Sequence, residues 1–503
     1  MKKIVLIVAV CAAVMSSYAQ NINDALRYGE TNVTGTARFS GMSGAFGALG
    51  GDLSAVGINP ASSAVFIGST YSFTFSNDQV DNDVTYFGNT TNRDDGNLSF
   101  NQGGAAFVYD INSNSPWKKF TFAVNYDRTN SLRDSFTAQG TGDTSIASYF
   151  SNFAQGIPLD LLETVDGETV GELYQFLGET EGFGAQQALL GFQAFILDPV
   201  NSGDFTNTQY TSAIAGNEFA QSYSLASTGY NGKLSFNGAG QYGENTYVGL
   251  NINSHFFDYD QSTVLRESNT NSASSVQDVR FENNLRSTGA GISFQLGAIH
   301  KINNLRLGFT YDSPTWLTIA EEGSQRIDVN RTEGTSALTT TVNPRIINIY
   351  EDYSIRTPGK VTGSVAYIFE KYGLVNLDVG YTDWSNLKFR NNDAVFQEEN
   401  AFISDALGSS LTYKIGGEIR LSAWSIRGGY RFTESPYENG ETIGDLRGQS
   451  FGIGYNFGRT KLGLAYDRAT QERSQQLYST GLTSAAAIDN TSRTIVATLT
   501  FGL

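Results

Sequence analysis

One cysteine stands among the 503 residues, at position 11. Disulfides and cysteine-ligated metal centres are thereby excluded, and the fold must rest on packing and hydrogen bonds. Histidine is nearly as scarce, with only His255 and His300. No phosphate loop, HExxH helix or Ser/His/Asp arrangement is present. Asp94-Asp95 and Glu321-Glu322 lack the spacing of a calcium loop. The reading is therefore of no enzyme, no metal and no cofactor. Positive charge is short as well: 33 Lys and Arg stand against 50 Asp and Glu, and Lys2 and Lys3 lie in a leader. Such a deficit excludes nucleic acid, whose phosphates need cationic partners. Also missing is any apolar run long enough to cross a bilayer as a helix.

The one marked apolar run, Ile4 to Met15, follows Lys2-Lys3 and precedes Ser17-Tyr18-Ala19. This pattern predicts a secretory signal at residues 1–19, cut between Ala19 and Gln20. Val10, just before Cys11, is not the small residue that a lipoprotein signal requires. An exported chain without a spanning helix is either a secreted soluble protein or a β-barrel. Only helices and closed barrels satisfy their backbone polar groups in lipid.

What is abundant is alternation. Val375, Leu377, Val379 and Tyr381 share one parity, as do Phe451, Ile453, Tyr455 and Phe457. Leu462, Leu464 and Tyr466 repeat the pattern, and Ile495, Leu499, Phe501 and Leu503 end the chain with it. Period two at this length predicts strands with one apolar face. The opposite face, rich in Gly, Ser, Thr and Asn, suits a lumen. The spacing predicts fourteen strands, at 68–76, 100–110, 119–130, 233–242, 246–260, 278–299, 304–313, 355–370, 373–390, 410–421, 424–434, 448–458, 461–472 and 491–503. The connections alternate between short turns and long loops at 77–99, 131–232, 261–277, 314–354, 391–409, 435–447 and 473–490. That asymmetry belongs to outer-membrane barrels, with short periplasmic turns and longer extracellular loops. The fold class is thus all-β: a 14-stranded antiparallel transmembrane β-barrel over residues 68–503.

Two segments break the pattern. Residues 20–67 are Gly- and Ala-rich, with Phe39, Met42, Phe46, Leu49, Leu53, Val56 and Ile58 at irregular spacing. Their place before the first strand predicts an N-terminal hatch, a plug in the lumen. The long extracellular insertion 131–232 is partly helical, carrying Leu173, Phe176 and Leu177, then Ala188, Leu189, Phe192, Phe195 and Ile196. An apolar patch of this size marks a binding surface, or its helices pack on one another as a loop core.

Four stretches carry a resemblance. Gly41-Met42-Ser43-Gly44-Ala45-Phe46-Gly47-Ala48 is followed by Asn59-Pro60-Ala61. Arg356-Thr357-Pro358-Gly359 precedes Val365-Ala366-Tyr367. Tyr381-Thr382-Asp383-Trp384-Ser385 and Arg427-Gly428-Gly429-Tyr430 with Ser435-Pro436 complete the set. In this order the sequence resembles the FadL/TodX family, outer-membrane transporters of long-chain fatty acids and aromatic hydrocarbons. The resemblance implies a monomer, placed by the barrel assembly machinery among the lipid and lipopolysaccharide of a Gram-negative outer membrane. It implies passive uptake: capture of a hydrophobic small molecule by apolar loops, a pocket in the barrel, a hatch that shifts, and sideways exit through a gap in the wall. In the family that gap comes from a kink in the third strand. Here Phe120 to Thr129 holds no Gly or Pro, whereas Gly103-Gly104 in the second strand can form a bulge. The chain also ends on Leu503, with Phe501 third from the end, where such barrels commonly end on an aromatic residue.

The candidate ligand-binding residues are Phe39, Met42, Phe46 and Leu49 of the hatch and Phe176, Leu177 and Phe192 of the insertion. The hatch four either line a pocket or pack the plug against the wall. Asn59-Pro60-Ala61 reads as a structural turn anchoring the hatch, since Asn before Pro starts turns. His255 falls on the lumen parity, opposite Val248, Leu250 and Ile252. It reads as a polar lumen residue rather than a haem ligand, and His300 as a strand-end residue. The alternative functions are a shuttle of the type IX secretion kind that receives cargo proteins, and an outer-membrane enzyme such as a phospholipase.

Overall fold

The computed structural model describes residues 22–111 and 115–503; the leader expected at 1–19 lies outside the described residues. The chain closes into one antiparallel sheet. Its strands are β1 (Thr70–Tyr86), β2 (Asn89–Asp110), β3 (Trp117–Ser131) with its continuation β4 (Asp134–Gly142), β5 (Phe219–Tyr242), β6 (Thr246–Ser268) and β7 (Val276–Ile302). Then come β8 (Leu305–Asp312) continuing as β9 (Trp316–Glu333), and β10 (Tyr353–Arg356) continuing as β11 (Lys360–Phe369). The last six are β12 (Gly373–Asp383), β13 (Ser409–Leu421), β14 (Trp424–Thr433), β15 (Leu446–Asn456), β16 (Thr460–Gln476) and β17 (Ala485–Gly502). With the continued pairs counted once, this is the expected fourteen-stranded barrel. The seam closes where β1 pairs with β17, from Thr70 opposite Gly502 to Thr85 opposite Ala487.

The barrel is apolar outside and polar inside. On β12, Val375, Leu377, Val379 and Tyr381 are 36–47% exposed, while Asn376 and Asp378 between them are 0% and 2% exposed. A water-soluble sandwich would bury the apolar parity, so this inversion is informative. Phe501 points outward, stacks on Tyr71 at 4.9 Å, and sits where the last strand meets the first.

Strand lengths depart from expectation at one end of the barrel. Residues 77–99, expected as a loop, continue β1 and β2 to a turn at Phe87-Gly88, both with positive φ. Residues 261–277 and 473–490 are likewise mostly strand, and the 131–232 insertion is strand as far as Gly142 and again from Phe219. In these extensions the outward side chains are mostly polar, and apolar ones such as Leu265, Val279 and Phe281 turn inward to the cap, so the outward hydrophobic alternation vanishes although the ladder continues. Two neighbouring strands break at the same height: Pro314 separates β8 from β9 and Pro358 separates β10 from β11. Proline lacks the N–H that a ladder needs. The gap is bridged by Thr357 N–H donating to the Thr315 carbonyl at 3.0 Å.

The insertion caps the same end. Helices α4 (Ala147–Ala154), α5 (Val170–Thr180) and α6 (Phe183–Gln193) pack their apolar faces onto the inner faces of the extended strands. Thr169 and Glu172 start α5 as a reciprocal capping box.

Candidate functional site

Residues 22–66 lie within the barrel and meet its wall on most sides. They form α1 (Ile22–Gly29), α2 (Ala37–Ser40), α3 (Leu53–Val56) and a 3-10 turn at Pro60–Val65. The contacts are largely hydrogen bonds from wall side chains to hatch backbone. Asp378 on β12 accepts from the N–H groups of Phe46 (2.9 Å) and Gly47 (3.1 Å). Ser450 on β15 accepts from Ser43 N–H (2.8 Å), and Thr498 on β17 from Ala37 N–H (2.7 Å). In the other direction Asn237, Asn251 and Gln295 donate to the carbonyls of Pro60, Val56 and Gly57, and Arg306 to that of Leu49. The polar lumen face therefore completes the hydrogen bonding of an irregular, buried backbone that could not otherwise stay dry.

One ion cluster joins hatch to wall. Glu418 of β13, 3% exposed, receives Arg38 of the hatch and Arg427 and Arg420 of the wall, each at 2.8 Å. A carboxylate with three guanidinium partners is held by charge-assisted bonds, the stronger kind.

Asn59, Pro60 and Ala61 are fully or almost fully buried. The Asn59 side chain accepts from Ala61 N–H (3.1 Å), capping the 3-10 turn, and donates to the carbonyls of Gly47 (2.7 Å) and Ala298 (3.1 Å). One amide thus ties two parts of the hatch to β7. The wall makes room with glycine: a Cβ at Gly297 would fall 2.1 Å from the Asn59 oxygen, and one at Gly429 2.4 Å from the Met42 carbonyl carbon. Gly429→Val is expected to lift the hatch off β14 at about 1–3 kcal/mol, read as a lower melting temperature and faster proteolysis within residues 35–66.

Phe39, Met42, Phe46 and Leu49 come together in one sealed cluster with Ala48, Ala55, Ala366 and Leu374. They pack plug to wall. Higher in the lumen, α1 inserts Ile22, Ala25, Leu26 and Tyr28 into a second apolar cluster with Phe257, Leu317, Tyr353, Phe389 and Phe396. Helix α7 (Ala394–Ala406) covers it, and Glu399 accepts from Ile22 N–H at 2.7 Å. This upper cluster was not foreseen from the sequence, although Ile22, Leu26 and Tyr28 have helical spacing.

The insertion residues divide. Leu177 is buried in the cap core, and Phe192 packs against that core beside Tyr210. Phe176, on the same helix as Leu177, is 48% exposed. His255 bonds Ser293 Oγ at 2.8 Å, and His300 bonds Thr246 at a strand end.

The wall is irregular beside the hatch. The β2–β3 ladder stops at Gln102 opposite Asp127, so Asn89–Asn101 has no backbone pairing with β3 or β4. The register of β1–β2 slips around Asn101, next to the Gly103-Gly104 pair expected to bulge. The register of β3–β5 slips around Thr129. The open ladder is filled by polar side chains: Arg128 reaches Asp78, Ser76 and Asn101, and Arg133 reaches Asp95. On the lumen side Asn32 N–H donates to the Thr129 carbonyl at 2.9 Å. A cavity of about 50 Å³ lies there, lined by Glu30, Thr31, Thr129, Gly232, His255 and Phe256. Burial pushes the Glu30 carboxyl up to about 7, against the pull of Arg473 and Arg27.

The order of elements, the buried N-terminal segment and the interrupted second-to-third ladder can be set against solved structures. A Pseudomonas aeruginosa FadL homologue superposes with a TM-score of 0.53 at 14% identity, covering 94% of this chain and 99% of that one. The fold is that of the FadL barrels. The Pseudomonas putida toluene transporter TodX has the same architecture, at a TM-score of 0.52 and 11% identity over 94% and 99% of the two chains. No family model and no curated protein matches the sequence. Sequence identity is therefore low while the fold is shared. Among the described residues no group of His, Cys, Asp or Glu is arranged to hold a metal ion.

Proposed function

We propose that this chain is a Gram-negative outer-membrane protein for passive uptake of hydrophobic molecules, long-chain fatty acids or aromatic hydrocarbons. One observation carries the reading: an apolar outer band encloses a lumen stoppered by a segment held mainly through hydrogen bonds. An exposed apolar belt around a closed barrel is stable in lipid and costly in water. A stopper held by polar contacts can exchange them for water when it moves, at small net cost per bond. The apolar residues packed around α1, together with Phe39, Met42, Phe46 and Leu49, would line a ligand's path if the hatch shifted. The foot of the open ladder, at Leu98–Asn101 where Leu98 and Phe100 still face outward, is the natural place for sideways exit, because few backbone bonds need break there. The toluene transporter shares the fold, which supports the reading without fixing the substrate.

Titration of the purified barrel with a fluorescent fatty acid should give saturable binding, and deletion of the gene should slow uptake. Linear, non-saturating fluorescence together with unchanged uptake would refute the proposal. A second reading, a shuttle of the type IX kind or another protein-binding barrel, draws on the exposed cap residues Val165, Phe176 and Phe205. It requires secreted proteins to co-purify with the barrel.

A further inference from the structure

One cavity lies outside the lumen. It is a groove of about 580 Å³ on the outer face of the extended strands β4 to β9. The face is settled by parity: Leu265, Val279, Phe281, Ile327 and Val329 are buried in the cap core, so their neighbours Arg266, Arg280 and Asp328 point the other way. The floor is built from two cross-strand rows. One runs Gln139, Ser222, Arg266, Arg280, Asp328; the next runs Thr141, Ala220, Ser268, Asp278, Asn330. Every side chain in the two rows except Ala220 carries a group able to donate or accept a hydrogen bond.

The charges in the first row do not balance. Arg266 and Arg280 sit directly opposite each other on β6 and β7, a like-charge placement that destabilises a sheet. Arg280 is neutralised by Glu282 (2.5 Å) and Asp328 (3.3 Å). Asp328 also takes Arg326 at 2.9 Å. Arg266, by contrast, has no ion pair among the described residues. An exposed guanidinium held beside a second one, in a polar concavity, is the arrangement that recognises a phosphate.

Height says where that phosphate comes from, given the membrane placement proposed above, on which this inference rests. On β6 the outward apolar residues are Val248, Leu250, Ile252 and Phe256, and Arg266 lies ten residues further along. At about 3.4 Å per residue and a tilt of about 40°, the groove stands roughly 25 Å above the lipid belt. Sugars of the outer leaflet occupy that level. We propose that the groove binds the phosphorylated core saccharide of lipopolysaccharide, with Arg266 on a phosphate. Gln139, Asn330 and the carboxylate of Asp278 then serve sugar hydroxyls.

The test uses the full-length barrel in detergent and core oligosaccharide freed from its lipid, with its phosphates and after their removal. The phosphorylated form should bind saturably, and the dephosphorylated form at least about tenfold more weakly. Arg266→Ala should weaken the phosphorylated form by a similar factor. Arg493→Ala, which removes another partly exposed arginine, paired with Asp81, should change nothing. Fluorescent fatty-acid binding should be the same in all three proteins, so loss of that signal in the parent would count against transport and not against the groove. Equal binding of both oligosaccharides, full affinity in Arg266→Ala, or no binding by the parent would overturn the proposal.

Discussion

Glu418→Ala should turn a closed barrel into a leaky one. The carboxylate is nearly inaccessible and is shared by Arg38 of the hatch and Arg420 and Arg427 of the wall. Removing it strands three guanidinium groups around one empty position. Loss of one partner from a buried ion cluster costs about 3–5 kcal/mol, most of it the burden of uncompensated charge. The wall arginines are fixed to β13 and β14, so relief comes by moving Arg38, and with it α2. The expected readout is a rise in ion conductance across a planar bilayer, well above the parent barrel at the same protein density. Glu418→Gln keeps shape and hydrogen-bonding capacity and should leak less. Parental conductance from Glu418→Ala would mean that the cluster does not hold the hatch.

Much of the barrel was legible from alternation because, in a barrel with an apolar outside, each strand must repeat the same two-residue pattern. Val375 to Tyr381 shows it plainly. The pattern failed where the physics that writes it stops. Above the outer belt, β1 from Asp78 to Tyr86 and β2 from Asn89 to Asn97 have lost the outward apolar row, and Val84 and Tyr86 turn inward to the cap core, so strands read as loops. The irregularity of β3 around Thr129 was missed for a different reason. The permissive residues are not in β3 but in its partner, where Gly229 and Gly232 flank the slip. Gly103-Gly104 did point to the neighbouring slip at Asn101, since that signal lies on the strand concerned.

The hatch was legible as a segment but not as a set of contacts. Asn59 announced itself through the following proline. Asp378 and Glu418 sit on the lumen parity of otherwise clear strands, and a charge there is a signal that the sequence offered. Their partners are backbone N–H groups and an arginine more than 300 residues away, which no local pattern reveals. For Phe39, Met42, Phe46 and Leu49 the sequence left pocket lining and packing of the plug equally open. In the structure they pack the segment against Ala366 and Leu374 of the wall.

A disulfide between hatch and wall tests the central claim most directly. Ser43 Oγ and Ser450 Oγ are 2.8 Å apart, close enough that cysteines at both positions could bridge. Cys11 is the only native cysteine, and adding Cys11→Ser leaves the new pair without a competitor. Oxidised Ser43→Cys/Ser450→Cys barrels in liposomes should lose uptake of a fluorescent fatty acid by at least about tenfold, and reduction should restore it. Uptake at the parental rate, with the crosslink verified by peptide mapping, would contradict a hatch that must move for the ligand to pass.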